Sequence, residues 1–301
     1  MVRITEQDVL RLLPMKEAVR LVRAAFVGLA DGSAQNQARR RLVTREGAVL
    51  HQLAGAFGKY FGAKIYSTHV RHGAWFTVLI YDAATAKPLA EIEANHLGQI
   101  RTGAASGVAT DLLARQDAAV LGVIGTGFQA QTQIEAIREV RPIREVRVWS
   151  RDAARREAFA QRMNASAMQT AEDAIRGADI IVTATYAKDP VLEDAWIALG
   201  THINAIGSNN PQRREIPAAL VERASLIAVD AIDQAKIESG DLLLAWPLPA
   251  QWTDARLVEL ARIAAGQSPG RTSDAQVTIF KSNGLGVQDI AVGGYVFERY
   301  S

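Results

Sequence analysis

Residues 118–137, AAVLGVIGTGFQAQTQIEAI, constrain this chain more than any other stretch. A continuous apolar run, Ala118–Ile124, leads directly into Gly125-x-Gly127-x-x-Ala130, and a helical pattern, Gln129–Arg138, follows at once. A buried strand, a tight glycine turn and a helix in that order form the first half of a dinucleotide-binding βαβ unit. Gly125 permits the turn, and Gly127 lets a pyrophosphate approach the backbone. Ala130 lets helix and strand pack closely, while Thr126 in the turn and Gln129 at the head of the helix are further cofactor-binding candidates. Free N–H groups at the start of the helix would carry the phosphates. The second strand, Glu145–Ser150, arrives on schedule and ends Trp149-Ser150-Arg151. An acidic residue there would hold a ribose 2′-hydroxyl. Ser150 and Arg151, with Arg155 and Arg156 following, suit a 2′-phosphate instead. NADP(H) is therefore expected over NAD(H), with a solvated helix face as the other reading of Arg155 and Arg156.

Downstream, strand-like and helix-like runs alternate. They are Ala153–Met163 and Ala171–Gly177 (helical), Asp179–Thr185 (strand), Glu193–Leu199 (helical), His202–Ile206 (strand), Pro217–Arg223 (helical) and Leu226–Asp230 (strand). This rhythm predicts a parallel sheet covered on both faces. The first third reads differently. A helix is expected over Leu10–Leu29 and a polar connector over Asp31–Arg45. Short strands follow at Ala48–Leu53, Gly62–Ser67, Trp75–Tyr81 and Leu89–Ile92, in an antiparallel sheet. Helices over Ile100–Ala114 and Gly284–Tyr300 complete the pattern. The expected division is 1–115 with 285–301 as one domain and 116–284 as the dinucleotide-binding domain.

Composition narrows the function. At 49% apolar and 22% charged, the 301 residues can build sizeable cores. A net charge of +2 is too near neutrality for a chain built around a phosphate backbone, so no nucleic-acid partner is expected. There is no cysteine, which removes disulfides, thiolate metal sites and cysteine nucleophiles. The five histidines, His51, His69, His72, His96 and His202, show no metal-ligand spacing, so no metal is expected. The beginning lacks a secretory pattern and no run is long and apolar enough for a membrane span, so a cytoplasmic location is expected. Only 7 lysines stand against 27 arginines, which makes Lys64, amid apolar neighbours, conspicuous. Arg101 heads a small-residue stretch and is a candidate carboxylate fork. Arg39–Arg41 suit an anion, or coat a surface. Gln288-Asp289, after the Gly-rich Ser282–Gly286, lines a site or packs a loop.

Taken together, six segments resemble the ornithine cyclodeaminase/mu-crystallin family. They are Gly62-Ala-Lys64, Ile100–Thr110, Gly122–Ala130, Gly200–Gly207, Glu238-Ser-Gly-Asp241 and Phe280–Gly284. The resemblance implies a Rossmann-type, doubly wound parallel α/β sheet plus a smaller α+β substrate and dimerisation domain. It also implies a homodimer joined through the sheets of the smaller domains. Lys64 and Arg101, with a second arginine that falls most nearly on Arg39 in the run Arg39–Arg41, would hold the carboxylate of a small amino- or imino-acid substrate. Thr102, Ser282 and Gly284 would lie near the cofactor.

One departure matters. Cyclodeaminases and archaeal alanine dehydrogenases of the family carry an aspartate in a Gly-Ala/Gly-Asp-x-Pro segment. Here the segment is Gly207-Ser-Asn-Asn-Pro211, with Asn209 at that position. An amide cannot serve as a general base. The reading that follows is NAD(P)H-dependent reduction of a cyclic imino acid, with Lys64 and Arg101 as catalytic residues. Alternatives are ornithine cyclodeaminase with Asp230, Asp233 or Asp241 as substitute base, an alanine-dehydrogenase-like enzyme, and an NADPH-bound binding protein without turnover.

Overall fold

The computed structural model describes residues 1–253 and 255–300. Asp254 and Ser301, the latter inside the expected 285–301 segment, lie outside the described residues. The chain divides into two compact units, one of Met1–Ala104 with the residues from Gly284 onward, the other Ala105–Asn283.

The first unit opens with β1 (Val2–Ile4), α1 (Glu6–Leu12) and α2 (Met15–Asp31). The single helix expected over Leu10–Leu29 is thus two. Pro14 has no N–H to continue α1 and its fixed φ starts α2. Thr5 closes α1 with a capping box through Asp8. Next come β2 (Gln35–Val43), β3 (Val49–Phe57), β4 (Tyr60–His69), β5 (Gly73–Asp82), β6 (Pro88–Glu93) and α3 (Asn95–Leu113). The polar connector expected over Asp31–Arg45 is largely β2, an edge strand of the sheet β1-β6-β5-β4-β3-β2. Its exposed, charged side chains are those that edge strands tolerate. Strands β2 to β6 run antiparallel to their neighbours, and β1 joins β6 in parallel.

The second unit begins within α3 and continues through β7 (Val120–Ile124), α4 (Phe128–Val140), β8 (Glu145–Trp149), α5 (Ala153–Met163), β9 (Ser166–Ala167), α6 (Ala171–Ile175), β10 (Ile180–Thr183), β11 (His202–Ala205), α7 (Ala218–Arg223), β12 (Leu226–Val229), α8 (Ile232–Glu238), α9 (Gly240–Leu243), β13 (Leu257–Glu259), α10 (Leu260–Ala264) and β14 (Thr278–Lys281). The sheet is parallel throughout, ordered β13-β12-β14-β11-β10-β7-β8-β9. Strands buried on both faces feed two cores. Leu121, Val123, Val146 and Val148 join one, Ile181, Ile203, Ile227 and Ile279 the other. The helix expected over Glu193–Leu199 is only one 3₁₀ turn, Asp194–Trp196. Strand β14, which the sequence pattern did not reveal, sits between β11 and β12.

After β14 the chain returns to the first unit as α11 (Gly286–Tyr300), packed on β3, β4 and α2. Leu53 and Val78 are the direct cross-strand partners of Lys64, and residues directly opposite one another project to one face of the sheet. That face is the one α11 covers, since Lys64 reaches Asp289 on α11. Among the described residues, no helix is long and apolar enough to cross a membrane.

Candidate active site

Two constellations emerge, each internal to one unit. In the parallel sheet, β7 has β8 on one side and β10 on the other, so strand order reverses beside it. Crevices beyond the carboxyl ends of strands at such a reversal are where open α/β sheets bind ligands. The Gly125–Ala130 turn lies at that end of β7. Gly125 has φ +106°, a region side chains rarely adopt, and its N–H bonds Trp149 O at 2.8 Å. Gly127 is the N-cap of α4; no side chain caps this terminus, and a Cβ at Gly127 would meet open space. Ala130 is fully buried. Thr126 Oγ1 donates to Ser150 Oγ at 2.8 Å, tying the glycine turn to the end of β8. The Gln129 side-chain oxygen is buried with no partner among the described residues. This cradle fits the phosphates and ribose of a dinucleotide.

Around the end of β8 the arginines divide their roles. Arg156 is buried and donates to Ser150 O at 2.9 Å, so it braces the turn. Arg155 is exposed and pairs with Asp152, the N-cap of α5. Arg151 is exposed beside Ser150.

The second constellation lies under α11 in the first unit. Lys64 on β4, Arg101 on α3 and Asp289 on α11 are 4%, 8% and 0% exposed. Lys64 Nζ lies 2.9 Å from Asp289 Oδ1, and Arg101 Nε lies 3.2 Å from the same oxygen. Arg101 Nη1 donates to Gln288 Oε1 at 3.2 Å. Arg39, buried on β2, donates from Nη2 to Gly284 O at 3.4 Å. Two cations thus share one carboxylate, with a third, Arg39, bonded to the neighbouring Gly284 backbone, leaving an excess of positive charge suited to a small acid. Burial lowers the Lys64 pKa to about 8, opposed by the Asp289 charge and reinforced by Arg101. Burial also pushes the Asp289 carboxyl up, but the Arg101 and Lys64 charges together outweigh it and hold it below its ordinary value.

Two glycines make room for these cations. A Cβ at Gly98 would collide with Lys64 Nζ. At Gly284, with φ +79°, a Cβ would stand 2.6 Å from Arg101 Nη1. Phe76 lies with its ring centroid 5.4 Å from Lys64 Nζ. It stacks on Tyr66, which stacks on His51, giving the cluster an aromatic border. Burial lowers His51 to about 4, helped by Arg41 and Arg39, so the imidazole stays neutral near pH 7.

Of the remaining candidates, Thr102 Oγ1 donates to Gly98 O within α3. Ser282 Oγ donates to Asp230, whose carboxylate also accepts the Asn283 N–H. Asp241 pairs with buried Lys281 at 2.9 Å and accepts the Glu215 and Ile216 N–H groups. Both carboxylates are engaged in holding backbone. Asp233 is exposed in the first turn of α8. Asn209 is exposed in the loop between β11 and α7. Among the described residues no three His, Cys, Asp or Glu side chains are grouped to hold a metal ion.

Sequence reasoning missed Gly98, the aromatic border and the central position of Asp289. For Asp289 a signal existed, since Gln288 and Asp289 are a polar pair inside an otherwise apolar helix start, GVQDIAVGG.

A doubly wound dinucleotide cradle and a buried lysine–carboxylate–arginine cluster define an oxidoreductase-type chain. It belongs to the ornithine cyclodeaminase/mu-crystallin family, whose model it matches over residues 1–301. It is 40% identical to a Delta(1)-pyrroline-2-carboxylate reductase of Bacillus cereus, over 74% of this chain and 70% of that protein. The structure of Thermococcus litoralis Delta(1)-pyrroline-2-carboxylate reductase with NADH and L-proline superposes with TM-score 0.92 at 30% identity. That match covers 99% of this chain and 97% of the other. An archaeal alanine dehydrogenase dimer with bound NAD gives TM-score 0.93 at 32% identity, covering 99% and 95%.

Proposed function

We propose that the chain reduces a cyclic α-imino acid, of the pyrroline- or piperideine-2-carboxylate type, to the cyclic amino acid. The observation that carries this reading is the Lys64–Asp289–Arg101 cluster, a buried cationic grip with one ionisable ammonium. Arg101 and Lys64, with Arg39 beside them, hold the substrate carboxylate by charge-assisted bonds. A bound reduced nicotinamide dinucleotide supplies the hydride. Lys64 gives a proton to the nitrogen as the C=N π bond breaks, so one C–H and one N–H bond form. The ammonium is then restored from water. Productive placement of the reacting atoms is the protein's largest contribution. Asn209, with Asp230 and Asp241 already engaged, supports reduction of a preformed imine over cyclodeamination, which needs a carboxylate base.

The Gly125–Ala130 turn with Thr126, Gln129 and Ser150 holds the dinucleotide, so 116–284 is the dinucleotide-binding domain. Thr102, Ser282 and Gly284 are cofactor-binding candidates by the family resemblance. Ser150 and Arg151 favour NADP(H), with NAD(H) as the weaker cofactor. Arg151→Ala is expected to lower kcat/KM for NADPH about tenfold or more, the cost of one charge-assisted bond, and to leave NADH unchanged. Steady-state kinetics with both nucleotides check this.

The segments 1–115 and 285–301 form the substrate and dimerisation domain of a homodimer. The sheet face opposite α11 supports this, since it carries Phe61, Ile65, Leu79, Tyr81 and Trp75. Phe61 and Trp75 are 37% and 61% exposed. Such an apolar face marks an interaction surface.

NADPH oxidation followed at 340 nm over cyclic imines, and over 2-oxo acids with amines, tests the function. Turnover with pyrroline- or piperideine-2-carboxylate is expected. Turnover of alanine or ornithine alone would replace this reading with one of the alternatives.

A further inference from the structure

We propose that Asp289 is a positioning residue for Lys64, fixing the direction of its ammonium and keeping it protonated until the imine nitrogen takes the proton. The inference rests on the reading of Lys64 as proton donor. Its warrant is geometric. Asp289 Oδ1 receives both Lys64 Nζ and Arg101 Nε, and Asp289 is wholly buried. Its Oδ2 is buried without a hydrogen-bond partner among the described residues, so the carboxylate's protein partners are the two cations on Oδ1. The empty position at Gly98 leaves Nζ free to take this place.

The charges on every element around Lys64 agree with this role. Strand β2 presents Arg39 and Arg41, β3 presents neutral His51, and β4 itself presents Tyr66. Strand β5 contributes only Phe76 and Val78, and α3 contributes Arg101, with His96 bonded to Gln99 one turn earlier. Asp289 on α11 is the only carboxylate among these groups. Guanidinium groups do not shed protons in proteins, so in a cluster of cations the ammonium is the group that would lose its charge. Asp289 opposes that loss.

The sign follows directly. Protonated Lys64 is the active form, so kcat falls as pH rises through its pKa, which stands at about 8 with Asp289 present. Removing the carboxylate charge favours the neutral amine and moves that alkaline limb down.

The experiment measures kcat against pH at saturating NADPH and Δ1-pyrroline-2-carboxylate, for wild type, Asp289→Asn, Asp289→Glu and Lys64→Met. The limb of Asp289→Asn is expected about 1–3 units below wild type, with much of the rate recovered in acid and KM little changed. Asp289→Glu keeps the charge on a longer arm and is expected to keep the limb, with kcat lowered about tenfold by lost orientation. A folded Asp289→Asn that loses rate equally at every pH, with its limb in place, overturns the proposal. If Asp289→Asn does not fold, a ¹³C NMR titration of the Lys64 ε-methylene decides between wild type and Asp289→Glu. A shared midpoint within about one unit of the wild-type limb supports the role, and a Lys64 that titrates elsewhere in either overturns it. Lys64→Met separates the two failures. Retained turnover there removes Lys64 as proton donor, whereas an inactive Lys64→Met beside an unmoved Asp289→Asn limb removes Asp289 alone.

Discussion

Lys64→Met is expected to lower kcat/KM for the imino acid by roughly 10⁴-fold while leaving NADPH binding within a factor of about three. The magnitude combines two losses. A proton donor in the transition state contributes about 10²–10⁴ in rate, and a charged hydrogen bond to the substrate carboxylate about 1.5–3 kcal/mol. Methionine matches the lysine stem in volume, so the apolar part of the site stays filled. Asp289 keeps Arg101 at 3.2 Å, which spares it the full penalty of a buried charge stripped of every partner. The variant should therefore fold, with thermal unfolding lowered by only a few degrees. Fluorescence titration with NADPH, thermal melts and steady-state rates check the three parts separately.

Gly98→Ala is expected to part stability from activity. Alanine is favoured over glycine in a helix by up to about 1 kcal/mol, so α3 gains from the change. The new methyl group would meet Lys64 Nζ, the far end of a flexible chain, rather than backbone. The ammonium can move aside at little cost to the fold. It then leaves both Asp289 and the place from which it reaches the substrate. A displacement of about 1 Å at a reacting group costs on the order of 10² in rate. An unchanged or higher melting temperature with kcat lowered about a hundredfold is the expected pair of results. Full activity in Gly98→Ala would show that the position of Nζ beside Gly98 is immaterial.

Local patterns carried most of what the sequence revealed. Gly125, Gly127 and Ala130 are legible because turn, strand and helix are adjacent along the chain, and their spacing states their roles. Lys64 and Arg101 stood out, one as a rare lysine among apolar neighbours, the other at the head of a small-residue helix. Asp289 could not be paired with them by spacing, since it lies 225 and 188 residues away. Its partners become visible only when α11 returns to the first sheet. Gly98 escaped for the same reason: the atom that excludes a side chain there comes from another element. Two departures of the fold from the sequence pattern have separate physical reasons. Strand β2 is polar because it is an edge, so its composition imitates a loop. Pro14 interrupts a run whose apolar spacing continues across it, and periodicity alone carries the helix through.

The most direct measurement is the fate of the hydride. Turnover of Δ1-pyrroline-2-carboxylate with NADPH deuterated at the transferable C4 position, followed by mass spectrometry of the proline formed, reports it. One deuterium at C2 of proline for each NADPH consumed is the expected result. Proline lacking deuterium, or NADPH left unconsumed while product appears, would contradict the account.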